Sequence, residues 1–396
     1  MASARLPPSA RAAGDIVNAM DALSLLWAGH WVWLLLPLAA LGITIVNLVS
    51  WPTGKGRRRA TGAPVSVLIP ARNEERTIEA AVRSALREPV AEVVVCDDRS
   101  TDATPRILAS IDDPRLRVVT GEPLAAGWVG KAHACARLAR EASTEQLLFL
   151  DADTTLRAGA LERLWRLRAS YDADAVTALP HQVMGTLGEK LLLPMLHVTY
   201  TSWLPLFLVH RTPWKVFLAA NGQVLFLSRD ALSAAGGFEG IRREVVDDMA
   251  LCRNLKAAGR RVVFAEGSAI ASCRMYHSAR DLWEGFAKNL YEGLGSVPML
   301  LLTLCVYGGA FLVPWALLVL AVRQPDLWLP AVIGLGANGL QRSLLAHRFE
   351  HSWWSVVVHP FAVVGLLLLA LDSCRRSYTG QIAWKGRHYA ARNARG

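Results

Sequence analysis

Charge is scarce in this chain of 396 residues: 19% are Asp, Glu, Lys or Arg while 53% are hydrophobic, and the mean hydropathy is +0.27. A soluble chain of this size carries roughly a quarter charged residues, so part of the sequence belongs in lipid. Paired cysteines are missing too. The six cysteines, at 96, 135, 252, 273, 305 and 374, include no C-x-x-C, which leaves neither a zinc ribbon nor a disulfide framework signalled. No N-x-S/T sequon occurs, as suits a chain that never faces a glycosylating lumen. The phosphate loop G-x-x-x-x-G-K-[ST] is absent, since Gly130-Lys131 is followed by Ala132 and Ala125 stands five before Gly130; G-x-S-x-G is absent as well. The length leaves room for one domain of roughly 200 to 250 residues plus membrane segments, which excludes a small stapled module or a disordered regulator.

What charge there is runs basic, with a net +10 and a pI near 9.6. The cations of Lys55-Gly-Arg57-Arg58-Arg59 and Arg375-Arg376 abut apolar stretches, so they are read as facing a membrane and no nucleic-acid partner is expected. Residues 1–22 form an N-terminal tail holding only Arg5 and Arg11 as cations. Residues 23–50 contain an apolar run long enough to span a bilayer as a transmembrane helix, too long for a usual signal-peptide core. The excess of cations after it places the following chain in the cytoplasm.

From 64 to 295 the composition becomes that of a soluble domain. The runs 65–69, 92–96 and 146–150 read as short buried strands, each followed by a helical pattern, which implies a mostly parallel α/β sheet with its ligand site at the strands' carboxyl ends. Residues 297–372 are expected to hold two or three membrane segments: 297–322 is long enough to span, 327–340 is short enough to be re-entrant or interfacial, and 355–371 is borderline. The basic tail 373–396 favours a cytoplasmic end and an even number of crossings, making the chain a multi-pass cell-membrane protein. Gly334-Leu-Gly336-Ala-Asn-Gly339 matches the dinucleotide fingerprint G-x-G-x-x-G, but it sits inside an apolar segment, where small residues serve close helix packing.

Polar residues gather where the strands end. The first strand runs into Pro70-Ala-Arg72-Asn73-Glu74, the second into Asp97-Asp98-Arg99-Ser100-Thr101-Asp102 and the third into Asp151-Ala-Asp153. Asn73 and Asp102 are equally well explained as helix caps. Asp172-Ala-Asp174 repeats the D-x-D pattern after a helical segment, so position rather than spacing marks Asp151 and Asp153 as a site. Two carboxylates leaving a buried strand suit Mg²⁺ or Mn²⁺ bridging a diphosphate. Asp247-Asp248 opens a further helix; Asp247 alone is accounted for as a dipole partner, whereas Asp248 is the sharper choice for a catalytic base.

This ordered set, with Gly130-Lys131 and Gly236-Gly237-Phe238 included, resembles the family 2 glycosyltransferases of GT-A fold over residues 64 to about 260. Ser272-Cys-Arg274-Met275-Tyr276, the stretch 286–293 and Trp384-Lys385-Gly386-Arg387-x-Tyr389 resemble a membrane-bound branch containing carotenoid glucosyltransferases and hopanoid-associated enzymes. The resemblance implies a nucleotide-sugar donor held by Pro70, Arg72, Glu74, Asp97, Asp98, Lys131 and Asp151, with Asp97 and Asp98 on the base and ribose of UDP. It implies a metal at Asp151 and Asp153, and Asp248 beside Asp247 deprotonating an acceptor hydroxyl. Inversion through a single displacement is the corollary. Processive synthases of this family carry Q-x-x-R-W after the base, and Ala287-Lys-Asn-Leu-Tyr-Glu-Gly293 does not. Transfer of one hexose, glucose by resemblance, to an isoprenoid-type lipid such as a carotenoid or hopanoid is therefore expected. A polyprenyl phosphate or glycerolipid acceptor is the runner-up, and an inactive membrane scaffold is the alternative of another class.

One segment tests the layout. Residues 191–209 would pass for a spanning helix, yet a span there would put Asp153 and Asp248 on opposite sides of the membrane. An interfacial helix, or one packed on the catalytic domain, is expected instead.

Overall fold

The computed structural model describes residues 31–56 and 61–381, and the backbone of 383–384 and 387–388. The tail 1–22, residues 23–30 of the first apolar stretch, Arg57, Arg58 and Arg59, and most of the basic tail lie outside the described residues.

Helix α1 (Trp31–Ser50) leads into β1 (Val65–Ala71), α2 (Ile78–Leu86), β2 (Glu92–Asp97), α3 (Thr104–Ala109), β3 (Leu116–Thr120), α4 (Gly130–Glu141) and β4 (Gln146–Leu150). Next come β5 (Thr154–Leu156), α5 (Ala160–Tyr171), β6 (Ala175–Leu179) and β7 (His181–Gln182), then the short helices α6 (Leu187–Leu192), α7 (Pro194–Ser202) and α8 (Phe207–Arg211). The domain continues with β8 (Val224–Ser228), α9 (Arg229–Ala234), α10 (Asp247–Ala257), β9 (Val262–Glu266), β10 (Ala271–Cys273) and α11 (Ala279–Leu294). The C-terminal portion is helical: α12 (Val297–Tyr307) passes through a π turn into α13 (Val313–Leu320), and α14 (Trp328–Phe349), α15 (Trp354–Val357) and α16 (His359–Thr379) come after it.

The main sheet has the order β3-β2-β1-β4-β8-β6-β9. All neighbours are parallel except β8, which runs antiparallel to both β4 and β6. The chain winds outward from β1 to β3 and then returns to β4 on the other side of β1. The carboxyl ends of β1, β2 and β4 therefore border a topological switch point, where open α/β sheets leave a crevice. A smaller sheet, β5-β10-β7, stands at that edge and begins immediately after Asp153.

The strands are legible as apolar runs because both faces are covered. Val67, Ile69, Val93, Val95, Leu148 and Leu150 pack under α2, α3 and α5, while Leu68, Val94, Cys96, Leu147 and Phe149 pack under α4, α9 and α10. Successive side chains alternate between two cores, as the two-residue period of a strand requires.

A third core joins the domain to the apolar helices. Leu179 and Phe264 of the domain meet Met195, Val198, Leu206 and Val209, and beyond them Ala40, Phe311, Leu345, Phe349 and Val363. The run 191–209 is thus three short helices, with prolines at 194 and 205, buried between the sheet and the apolar helices. Asn47 ties it to α1, donating to the carbonyls of Thr201 (2.9 Å) and Leu204 (2.8 Å).

Among the described residues two helices, Trp31–Ser50 and Val297–Leu320, are long and apolar enough to cross a membrane. The segment 327–340 differs from its expected shortness. Its residues 328–340 belong to the 22-residue helix α14, where Gln341 and Arg342 end the apolar run although both, like Asn338 within it, are buried. The glycine fingerprint lies mid-helix. A Cβ at Gly334 would stand 2.8 Å from the Pro314 ring, whereas Gly336 and Gly339 face open space, so only the first glycine serves close packing.

Candidate active site

Pro70 at the end of β1, Phe149 and Asp151 of β4 and its exit, Lys131 and Cys135 of α4, Gly222 before β8, and Asp247 and Asp248 opening α10 line one cleft at the switch point. Lys131 stands at its centre. Its Nζ is 2.7 Å from Asp151 Oδ1 and 4.0 Å from Asp247 Oδ2. Burial disfavours the ammonium charge, but Asp151 and Asp247 outweigh it and hold the Lys131 pKa well above its ordinary value. Burial pushes the Asp151 carboxyl up to about 7; Lys131 opposes the rise, and Asp153 and Asp247 add to it.

Asp248 is raised by burial first and by Asp247 second, with Lys131 and the Met249 N–H, which donates to Oδ1 at 2.8 Å, pulling it back. Gly222 packs closely opposite: a Cβ there would come within 3.2 Å of Asp248 Cβ and 3.3 Å of Lys131 Nζ.

Arg72, Glu74, Asp97 and Asp98 form a second group along the same edge. Asp98 is buried, its N–H bonded to the Ala71 carbonyl at 2.8 Å. Arg72 Nη1 donates to the carbonyls of Asp98 and Arg99 and so braces the loop after β2. Asp97 Oδ1 accepts the Ser100 N–H at 3.0 Å. Gly121 closes against this turn, its N–H on the Asp97 carbonyl at 2.8 Å, and a Cβ there would lie 2.8 Å from Asp98 Cα. Glu74 helps to start α2, its carboxylate accepting the Thr77 hydroxyl at 3.3 Å. Asp102 lies one residue before Ala103, the N-cap of α3, and its Oδ1 accepts the Thr104 N–H of the helix's first residue at 2.9 Å. Asn73 instead bridges loops, its Oδ1 accepting the Thr101 N–H at 2.8 Å.

Three further residues of this neighbourhood were given no role at the site by the sequence. Cys135 lies one helical turn after Lys131, and burial together with the Asp247 charge drives its thiol pKa far up, so it serves as a wall and not as a nucleophile. Tyr200 of α7 donates to the Ala220 carbonyl at 2.9 Å and lies within electrostatic reach of Asp248. Lys288 of α11 approaches the same acidic group; burial and then Lys131 lower it to about 8. It lies in the stretch 286–293 already singled out, but nothing local marks that helix face as turned toward Asp151.

Among the described residues no group of three or more His, Cys, Asp or Glu side chains forms a ready-made metal cage. Asp151 and Asp153 are nonetheless the hard oxygen donors that Mg²⁺ or Mn²⁺ takes when phosphates complete its shell. Asp153 has the Thr154 hydroxyl at 3.1 Å and pairs with no cation among the described residues. The donor set fits a cation bound together with a diphosphate and does not fit a permanent site.

Residues 66–249 match the family model Glycosyl transferase family 2. The 4,4'-diaponeurosporenoate glycosyltransferase of Staphylococcus aureus (strain USA300) is 26% identical over 338 residues, covering 82% of this chain and 88% of that protein. Its counterpart from strain MRSA252 is 28% identical over 349 residues with the same coverage. Among solved structures, the mannosyltransferase PcManGT of Pyrobaculum calidifontis, in complex with GDP-Man and Mn²⁺, shares the fold at TM-score 0.53 and 19% identity, over 89% of this chain and 96% of that one. With the sheet order and the acidic edge, these likenesses give the chain a GT-A fold whose residues 66–249 are similar to the family 2 glycosyltransferases, and they mark it as a glycosyltransferase.

Proposed function

We propose that this chain is a membrane-bound, inverting enzyme that transfers one hexose, glucose in our reading, from a UDP-sugar to an isoprenoid-type lipid, a carotenoid before a hopanoid. The observation that carries it is the cleft itself: Asp151, Asp247 and Asp248 converge on Lys131 at the edge of a parallel sheet that is packed directly on apolar helices. Relatives named for transfer to 4,4'-diaponeurosporenoate, matching along 82% of the chain, support the acceptor class.

Each residue then has a task. Asp97 and Asp98 bind the nucleoside, with Arg72 and Gly121 fixing their loop. Lys131 offers positive charge to the donor's phosphates. Asp151 and Asp153 would hold Mg²⁺ or Mn²⁺, which when bound supplies charge compensation for the departing diphosphate. Asp248 takes the proton from the acceptor oxygen, and the burial and Asp247 charge that raise its pKa make it a stronger base than an ordinary carboxylate. One displacement inverts the anomeric carbon. In this reading 64–295 is the cytoplasmic catalytic domain, 191–209 its membrane-facing collar, and 297–372 the C-terminal membrane unit.

The test is mass spectrometry of total lipids from cells expressing the chain or its Asp248→Asn variant. One lipid class should gain a single hexose mass with the first and not the second. A hexose series on one lipid would replace single transfer by polymerisation, and a labelled polyprenyl phosphate or glycerolipid would replace the acceptor.

A further inference from the structure

The apolar helices bury polar groups for which the transfer chemistry has no use. Arg342 of α14 is 1% exposed, yet its guanidinium makes one hydrogen bond, from Nη2 to the Ser355 hydroxyl at 3.2 Å. Its Nε and Nη1 have no partner, and no carboxylate pairs with it among the described residues. His359, the first residue of the 21-residue helix α16, is buried with both ring nitrogens unpartnered. His351 meets His197 through Nε2 and Nδ1 at 3.2 Å and leaves its own Nδ1 unpartnered. Arg342 lies within electrostatic reach of all three imidazoles.

An uncompensated guanidinium is among the costliest groups to bury, and intramembrane cations are kept where they have something to bind. The donors around this one agree on what that is. Guanidinium N–H groups, imidazole N–H groups and the positive end of α16 all favour an oxyanion.

The neighbouring segment shows where such an anion would come from. His351, Ser355 and His359 are buried, while Trp353, Val357 and Phe361, each two residues further on, are exposed, Phe361 at 68%. A segment facing water would show the opposite pattern; this one turns its apolar side chains outward to lipid and its donors inward. The end of α14 is also tied to the catalytic domain, since Arg348 pairs with Glu266 of β9. His197 stands one turn of α7 before Tyr200, which holds the Ala220 carbonyl beside the cleft.

We propose that Arg342, Ser355, His359 and His351 form a binding site for the anionic head group, carboxylate or phosphate, of a membrane amphiphile whose tail lies along Trp353, Val357 and Phe361. The site takes an acidic amphiphile whether or not that molecule is a sugar acceptor, so it stands apart from the reading of the reaction.

The test uses the full chain in phosphatidylcholine nanodiscs, titrated with oleate, phosphatidic acid, methyl oleate, acetate or inorganic phosphate. Retained ligand is read by native mass spectrometry, and the melting temperature is followed in parallel. Oleate and phosphatidic acid should be retained and raise the melting temperature, and methyl oleate should do neither. Arg342→Met should weaken retention by about tenfold or more. Ser355→Asp places a carboxylate beside Arg342 Nη2, so this variant should fold without lipid and lose the response even if Arg342→Met proves too unstable to purify. An unchanged oleate response in Ser355→Asp, or an equal one to methyl oleate, overturns the site. A full response to inorganic phosphate or acetate overturns its assignment to lipid.

Discussion

Asp247 and Asp248 are adjacent in sequence but meet different surroundings: the first faces Lys131 at 4.0 Å, the second sits against Gly222 and accepts the Met249 N–H. In the proposed reaction that division gives Asp248, and not Asp247, the role of base. Asp248→Asn should lower transfer by about a hundredfold or more while donor affinity, measured by calorimetry, stays near wild type. The pH profile gives the sign. The groups facing Asp248 are Asp247, Lys131, Lys288, Tyr200 and Cys252, and the net effect of burial and Asp247 is a raised carboxyl pKa. A base must be ionised, so kcat should fall as pH drops through this raised pKa, with an acid limb above the ordinary carboxylate range. Asp248→Asn should abolish that limb. A limb unchanged in the variant assigns the base elsewhere.

At the scale of elements, two segments carry predictions: a turn set by backbone approach and a set of short helices set by packing. The turn after β3 lies so close to the end of β2 that Gly121→Ala would press a methyl into Asp98 Cα, where rigid backbone leaves no room to yield. Donor affinity should drop by about tenfold, matching Asp98→Asn in kind, while the acid limb of Asp248 is untouched. The second is the collar α6–α8. Its helices are broken at prolines and buried between sheet and apolar helices, so both of its ends belong with the catalytic domain. Single cysteines at Gly188 and Thr212 should both be labelled from the cytoplasmic side by a membrane-impermeant maleimide. Opposite sidedness would separate Asp153 from Asp248 and end the shared-site reading.

For the whole molecule, the balance of charge around the cleft underlies the proposed role of a cation. Asp151, Asp153, Asp247 and Asp248 face Lys131 and Lys288, and a donor diphosphate adds further negative charge. Chelation by EDTA should therefore abolish transfer, with Mn²⁺ or Mg²⁺ restoring it; full activity in metal-stripped enzyme would remove Asp151 and Asp153 from that role. The junction between domain and helices also matters, because Phe264 and Leu179 share a core with α7, α14 and α16. The catalytic domain and the apolar helices are thus joined through a shared core.

The sequence alone determined β1, β2 and β4 and the acidic residues that end them, because strands covered on both faces must be unbroken apolar runs and a site at their carboxyl ends needs polar side chains there. It determined that no dinucleotide loop lies at Gly334, since a fingerprint inside an apolar helix has no strand before it. It passed over β3, whose Leu-Arg-Val-Val-Thr is the partly exposed edge of the sheet and carries no burial signal. Only the tertiary structure decided the reversed direction of β8, the approach of Lys288 and Tyr200 to Asp248, and the full length of α14. Each depends on contacts between segments far apart in the chain, where a polar residue such as Arg342 reads as an interruption until its buried surroundings are known.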